Sequence, residues 1–281
     1  MSKRDGKVWC AAVLGLSLLA SASGAGAQQS KDQQKCINAL NKGGRGVAVA
    51  QGKENVACLQ GAGKGTLGGG AQACLTADAK GKVQKAEDKT LKDETKLCGT
   101  LPGFGYTGGA NVNEVAMQGE IDLTADVFGA DLGAAVIDCD ASKAGCRCQQ
   151  KVQKSYELLV GVKLAEFVKC KKAALAAGAS SAASLVACID DPGTAGSIAA
   201  DSKGKVAKAF DNLNTEIVKQ CDTPGVTVGA FPGDCAGFVG PALSPPGTPP
   251  WACAKSSMLT LLDSVRGAGR SKTERVSWWS P

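Results

Sequence analysis

Cys146-Arg147-Cys148 is the point in this chain where thiol chemistry is easiest to write. An arginine between two cysteines favours the thiolate, the form that attacks disulfides and binds metals. The motif is not Cys-x-x-Cys, and no βαβ pattern of the thioredoxin type surrounds it. Cysteine-only zinc needs ligands clustered at short spacing, and only this corner approaches that. Two readings follow: a thiol–disulfide or metal-handling centre at Cys146 and Cys148, or two structural cysteines with partners elsewhere.

The rest of the chemical search is mostly exclusion. The chain has no histidine, which rules out Ser-His-Asp and Cys-His catalysis, histidine metal ligands and the Cys-x-x-Cys-His haem signature. Two carboxylates suffice for a glycoside hydrolase, so a secreted carboxylate-dependent hydrolase stays open. The acids are nonetheless scattered among lysines, as in Lys82, Lys85, Glu87, Asp88, Lys89, Lys92 and Asp93, the pattern of a solvated helix face. Gly63-Lys64-Gly65-Thr66-Leu67-Gly68 matches G-x-G-x-x-G in form, but it lies between two cysteines rather than between a strand and a helix. Asp138-Cys139-Asp140-Ala141-Ser142 begins like a calcium loop, then has Lys143 for the glycine and Gln149 for the closing glutamate. No catalytic, cofactor-binding or metal-ligating set emerges, and no cofactor is expected.

The leader sets the redox context. Lys3, Arg4 and Lys7 precede an apolar run from Val8 to Ala20, and Ala25-Gly26-Ala27 offers small residues for cleavage, so residues 1–27 read as a signal peptide. Thirteen apolar residues fall short of the about 20 a transmembrane helix needs. No second long apolar stretch follows, so no transmembrane segment is expected after cleavage. Export predicts a secreted or periplasmic protein. It also removes Cys10 and turns thirteen cysteines into an even twelve, as a disulfide framework requires.

Those twelve cysteines carry the organisation. Cys36, Cys58, Cys74 and Cys98 repeat in spacing as Cys148, Cys170, Cys188 and Cys221, with 22 residues from first to second in each set. Ala77 to Cys98 aligns without gaps on Ala200 to Cys221, with eleven of 22 positions identical. A step of 22 residues is about six helical turns, which puts a cysteine on one face near each end of a long helix. Cys148, Val152, Tyr156, Leu159, Phe167 and Cys170 form such a stripe, and Val206, Phe210, Leu213, Ile217 and Cys221 another. The predicted fold is mainly α: two duplicated, disulfide-stapled antiparallel helical units with loop-rich linkers.

Helix geometry suggests nested pairs: Cys36 with Cys98 outside Cys58 with Cys74, and Cys148 with Cys221 outside Cys170 with Cys188. Cys139 and Cys146 flank a short polar loop, and Cys235 and Cys253 a proline-rich run. The expected division is a first unit over 28–98 and a linker over 99–145 with a helix from about Leu123 to Ile137. A second unit follows over 146–223, with a short connecting helix from Ala179 to Ala187. A proline-rich, disulfide-closed segment over 224–266 and a disordered tail over 267–281 complete the chain. Asp78 and Asp201 stand where an acid favours the start of a helix.

Aromatic residues make up only 4% of the chain, so a core rich in alanine and glycine buries little area and leans on its cross-links. Without the leader the net charge is +4, with lysines interleaved among acids rather than in a one-sided basic stripe with stacking aromatics. A nucleic-acid partner is not expected; an unknown protein or a component of the cell envelope is.

Gln34-Lys35-Cys36-Ile37-Asn38-Ala39-Leu40-Asn41-Lys42, Asp78-x-Lys80-Gly81-Lys82-Val83 and the turn Phe231-Pro232-Gly233-Asp234-Cys235 together resemble uncharacterised secreted cysteine-rich proteins of environmental bacteria. The resemblance implies export and a repeated helical build, and carries no activity. The expected function is an exported, non-enzymatic structural or binding protein held by about six disulfides.

Overall fold

A computed structural model describes residues 28–222 and Phe231. The expected signal peptide, the expected tail over 267–281, and Cys235 and Cys253 with their proline-rich run lie outside the described residues. Eight helices, and no strand, make up the described part: α1 (Lys31–Gly63), α2 (Ala71–Ala77), α3 (Lys82–Leu97), α4 (Gly109–Phe128), α5 (Leu132–Ala135), α6 (Lys143–Ala176), α7 (Ala183–Asp190) and α8 (Lys205–Cys221).

Helix α1 starts at a capping box that satisfies two otherwise orphaned donors. Ser30 Oγ accepts from the Gln33 backbone N–H at 3.3 Å, and Gln33 Oε1 accepts from the Ser30 N–H at 2.8 Å. Glycines 43, 44 and 46 weaken helix propensity, yet the helix runs unbroken through them. Close packing on α3 explains one of them. A Cβ on Gly43 would stand 2.5 Å from Oγ1 of the buried Thr90, so only glycine lets the helices approach this far.

The starts of α3 and α8 share an unusual cap. Asp78 and Asp201 adopt left-handed backbone angles, φ 38° and 36°. Each lies three residues before the N-cap glycine and reaches forward over the first turn. Asp78 accepts from the N–H groups of Lys82, Val83 and Gln84 at 2.8, 3.1 and 2.9 Å, and Asp201 from those of Val206 and Ala207 at 3.1 and 2.8 Å. Partial burial pushes the Asp78 carboxyl up, but the three N–H donors outweigh it and hold it below the usual carboxylate range. The sequence placed both acids at the helix start; their actual position is one turn upstream.

Disulfides close each half. Cys36 joins Cys98 and Cys58 joins Cys74, tying both ends of α1 to the chain running back through α2 and α3. Cys148 joins Cys221 and Cys170 joins Cys188, doing the same for α6, α7 and α8. Cys139 joins Cys146 across the entry to α6. Five disulfides among the described residues are consistent with an oxidising, extracytoplasmic environment.

The helix expected from about Leu123 to Ile137 is a different element. Helix α4 begins at Gly109 and ends at Phe128, where Gly129 takes φ 85° and breaks it, and the four-residue α5 follows. The break lets Phe128 and Leu132 both turn inward and become fully buried. Segment 99–145 is therefore more than a connection: α4 packs on α1 and α3. The main core draws on α1, α2, α4, α5, α6 and α8 together, from Leu59 and Leu75 to Ile121, Phe128, Tyr156, Leu159 and Leu213. Phe231 adds a ring 5.6 Å from that of Phe128. The short helix expected over Ala179 to Ala187 starts four residues later, as α7.

Helices α1 and α6 run antiparallel along a seam between the halves. Lys171 Nζ donates to Asn41 Oδ1 at 3.0 Å near one end, and the backbone of Gly63 approaches the Cys139–Cys146 sulfurs at the other. None of the five disulfides joins α1, α2 or α3 to α6, α7 or α8, so packing and hydrogen bonds hold this seam.

Loop-closure entropy ranks the cross-links. Replacing Cys148 and Cys221, 73 residues apart, by alanine is expected to cost about 4.5 kcal/mol, against about 2.5 kcal/mol for Cys139 and Cys146, seven apart. Urea titrations of the two double variants check the order; a costlier loss of the short loop would contradict it.

Candidate functional site

The α1–α6 seam opens on one side into a cleft of about 750 Å³. Its walls are apolar: Val49 and Val56 from α1, with Leu158, Val162 and Ala165 from α6. Leu158 is 55% exposed, high for a leucine, because it faces this opening. Cations ring the mouth: Arg45 and Lys53 from α1, Lys151, Lys154 and Lys169 from α6, and Lys205 from α8. Among the described residues, Glu166 and Glu216 oppose them there. Glu166 is tied to Lys169 at 2.7 Å and Lys205 at 3.2 Å, and these contacts hold its carboxyl below the usual range.

The floor has the opposite character. Glu120 of α4 is 3% exposed and Glu157 of α6 is partly buried, and both carboxyls converge on Gly52 of α1. The Glu157 carboxyl occupies the space that a side chain at position 52 would fill, with Glu120 Oε2 3.5 Å from the same point. Neighbouring amides support them. Gln153 Nε2 donates to Glu157 Oε1 at 2.6 Å, and Asn55 Nδ2 binds the Glu120 carbonyl at 3.0 Å and Thr124 Oγ1 at 2.9 Å. Gln51 in turn donates to Asn55 Oδ1 and to the Leu75 carbonyl, both at 2.8 Å. Gln51, Asn55, Thr124 and Gln153 are all buried, so α1, α4 and α6 meet around one polar network.

Two acids in such a place hold protons tightly. Burial pushes the Glu157 carboxyl up to about 7, while hydrogen bonds from Glu120, Gln153 and Asn55 pull the other way. Glu120 rises well above its ordinary range, first through burial and then through the neighbouring Glu157 charge. Glu120 Oε2 meets no donor, so a proton shared between the carboxyls is the simplest way to satisfy it. Lys171, also buried, lies over the Phe167 ring at 5.0 Å, and burial lowers its ammonium to about 7.

The motifs singled out in the sequence lie elsewhere. Cys146 and Cys148 belong to two different disulfides and are not each other's partners. Gln150 Nε2 donates to Cys146 Sγ at 3.0 Å. The segment from Gly63 to Gly68 is the end of α1 and the turn after it. Asp138 to Ser142 forms the turn into α6, where Ser142 Oγ accepts from the Gly145 N–H at 3.2 Å. Glu54, Cys58 and Cys74 place ligand-type atoms within 4.8 Å of one another, but the two sulfurs are joined in a disulfide and offer no thiolate.

Glu120 and Glu157 were missed by sequence reasoning. A signal was present in α4: Asn113, Ala116, Glu120, Thr124 and Val127 recur at helical spacing on the buried face, which puts an acid in the middle of it. Comparison with known protein families, curated proteins and solved structures gave no match for this chain.

The carboxyl pair makes stability depend on pH. The folded protein binds more protons than the unfolded chain between the ordinary glutamate value of 4.5 and about 7, so stability falls as pH rises through that window, by roughly 1–3 kcal/mol. Lys171 has the opposite sign between about 7 and 10.5, so the expected profile has a minimum near neutrality. Urea midpoints from pH 4.5 to 10 in chelating buffer check this. Glu157→Gln should flatten the acid limb and leave the alkaline limb; an unchanged acid limb would remove the pair as its source.

Proposed function

We propose that this is an exported, non-enzymatic binding protein, secreted or periplasmic, whose ligand site is the α1–α6 cleft. The two halves share one order of elements and one nesting of disulfides, which supports reading them as copies of a single unit set face to face. A scaffold of this kind suits a role in binding at or beyond the cell envelope. Among the described residues no helix is long and apolar enough to cross a membrane.

The cleft is the observation that carries the reading. Its volume falls in the range of small-molecule sites, about 300–1,000 Å³. Apolar walls beneath a ring of six cations, with two opposing acids, complement an acidic amphiphile: an anionic group joined to an apolar body. The anion would sit among Lys53, Lys151 and Lys154, and the apolar part against Val49, Leu158 and Val162.

A carboxylate-dependent hydrolase is the second reading, and Glu120 with Glu157 is what favours it. Their burial counts against it, since Glu120 Oε2 is enclosed and Glu157 fills the space over Gly52. A reacting bond has no room to come between them.

Calorimetric titration with a medium-chain alkyl phosphate below its micelle concentration tests the first reading. Saturable binding is expected, weakened at least tenfold by Lys151→Glu with Lys154→Glu and by Leu158→Asp. No binding, or undiminished binding by those variants, would overturn it, and so would binding only to anionic vesicles. Turnover of glycoside or peptide substrates that Glu157→Gln abolishes would promote the second reading.

A further inference from the structure

Two buried acceptors at the junction of α1, α4 and α6 go unmatched. Glu120 Oε2 and Gln153 Oε1 are each enclosed without a hydrogen-bond partner, and both residues are more than nine-tenths buried. An unmatched buried acceptor is costly to keep from water, more so when charged. Here two such atoms belong to one cluster, because Gln153 also binds the Glu157 carboxylate. Both glutamates line the cleft, so the cluster has a route from solvent.

We propose that Glu120, Glu157 and Gln153 form a site for one divalent cation of the calcium type at the floor of the cleft. A shared proton satisfies one acceptor and leaves a buried negative charge. A divalent cation between the carboxylates neutralises both and serves Glu120 Oε2 directly. A half-turn of the Gln153 amide then exchanges Nε2 for Oε1, bringing a third oxygen onto the ion. That oxygen has no partner to give up where it now lies.

The donor set is all oxygen, which selects hard cations over zinc or copper. Two carboxylates, each able to bind through both oxygens, one amide oxygen and water from the cleft reach the six to eight ligands calcium takes. Magnesium demands stricter octahedral geometry and gives up its water reluctantly, so it fits this floor less well. Gly52 is what admits the Glu157 carboxyl: a Cβ there would run into it.

The basic mouth opposes the ion. Arg45 and Lys53 on α1 and Lys151 and Lys154 on α6 face the same cleft, and Lys205 and Glu216 bound it from α8. Their repulsion is screened over about 8 Å at physiological salt. The affinity expected is accordingly that of extracellular calcium modules, a Kd of about 10⁻⁴–10⁻³ M. The ion uses the floor and the amphiphile the rim, so this site stands or falls separately from the reading of the cleft as an amphiphile pocket.

The test uses the full exported chain, oxidised, stripped with chelator and dialysed, with calcium chloride as the only addition. Calorimetry should show one site per chain, with magnesium at least tenfold weaker, and 10 mM calcium should raise Tm by roughly 3–8 °C. Glu157→Gln and Glu120→Gln should each keep the helical circular dichroism of the parent and lose the calcium response at least tenfold. Gly52→Ala should lose it as well. Absence of heat and of a Tm shift at 10 mM calcium would overturn the site, as would an unaltered response in folded Glu157→Gln.

Discussion

The structure depends on cross-links that do the work of bulk. Alanine and glycine fill much of the apolar sequence and aromatic side chains are few, so each residue brings little area to the core. What fixes the two long helices is that each is held near both ends. Cys36 and Cys58 lie toward opposite ends of α1, Cys148 and Cys170 toward opposite ends of α6, and every one of the four is buried in its disulfide. Such a clamp acts chiefly on the unfolded chain, whose freedom it removes, and so asks little of side-chain volume. It also explains how α1 tolerates Gly43, Gly44 and Gly46: helix propensity is a small preference beside two cross-links and a capping box.

The clamps stop at the boundary of each half, and there the protein is most open to influence. Between α1 and α6 only packing and hydrogen bonds operate, and at the centre of that joint lies a polar network rather than a dry core. Gln51, Asn55, Glu120, Thr124 and Gln153 are buried together where α4 crosses α1 near α6. A fully matched network of this kind fixes one register, because sliding either helix by a turn would strand its partners. A network with acceptors to spare does something further: it leaves the joint sensitive to whatever supplies the missing positive charge.

Legibility in the sequence follows the same division. Cysteine spacing and apolar periodicity are local, repeating within one helix, and they led to the helical build and to the faces that are buried in it, as with Val152, Tyr156, Leu159 and Phe167. Helix α4 was misplaced because Gly109 to Glu120 shows only a diffuse apolar stripe, its inward face being built of Asn113, Ala116 and Glu120. The carboxyl pair was invisible for a different reason. Glu120 and Glu157 stand 37 residues apart on separate helices, and Gly52 lies 68 residues before the first of them. Their meeting depends on the register of three helices, which no single stretch of sequence encodes. Asp78 and Asp201 show the intermediate case: the acid and the helix start were both visible, but the left-handed turn that sets one against the other was not.

Charge in the cleft is sorted by depth, and size then decides what each layer can meet. The ammonium groups ride on long stems at the mouth, where water and salt weaken their reach. The carboxyls lie below on short, fixed side chains, in a medium where an unneutralised charge is costly. A molecule too large to pass the walls of Val49, Leu158 and Val162 encounters mainly cations. A proton or a bare ion small enough to reach Gly52 encounters mainly carboxylates. One cleft can thus offer opposite charges to ligands of different size, and because its two walls are α1 and α6, either kind of occupancy acts on the joint that no disulfide secures.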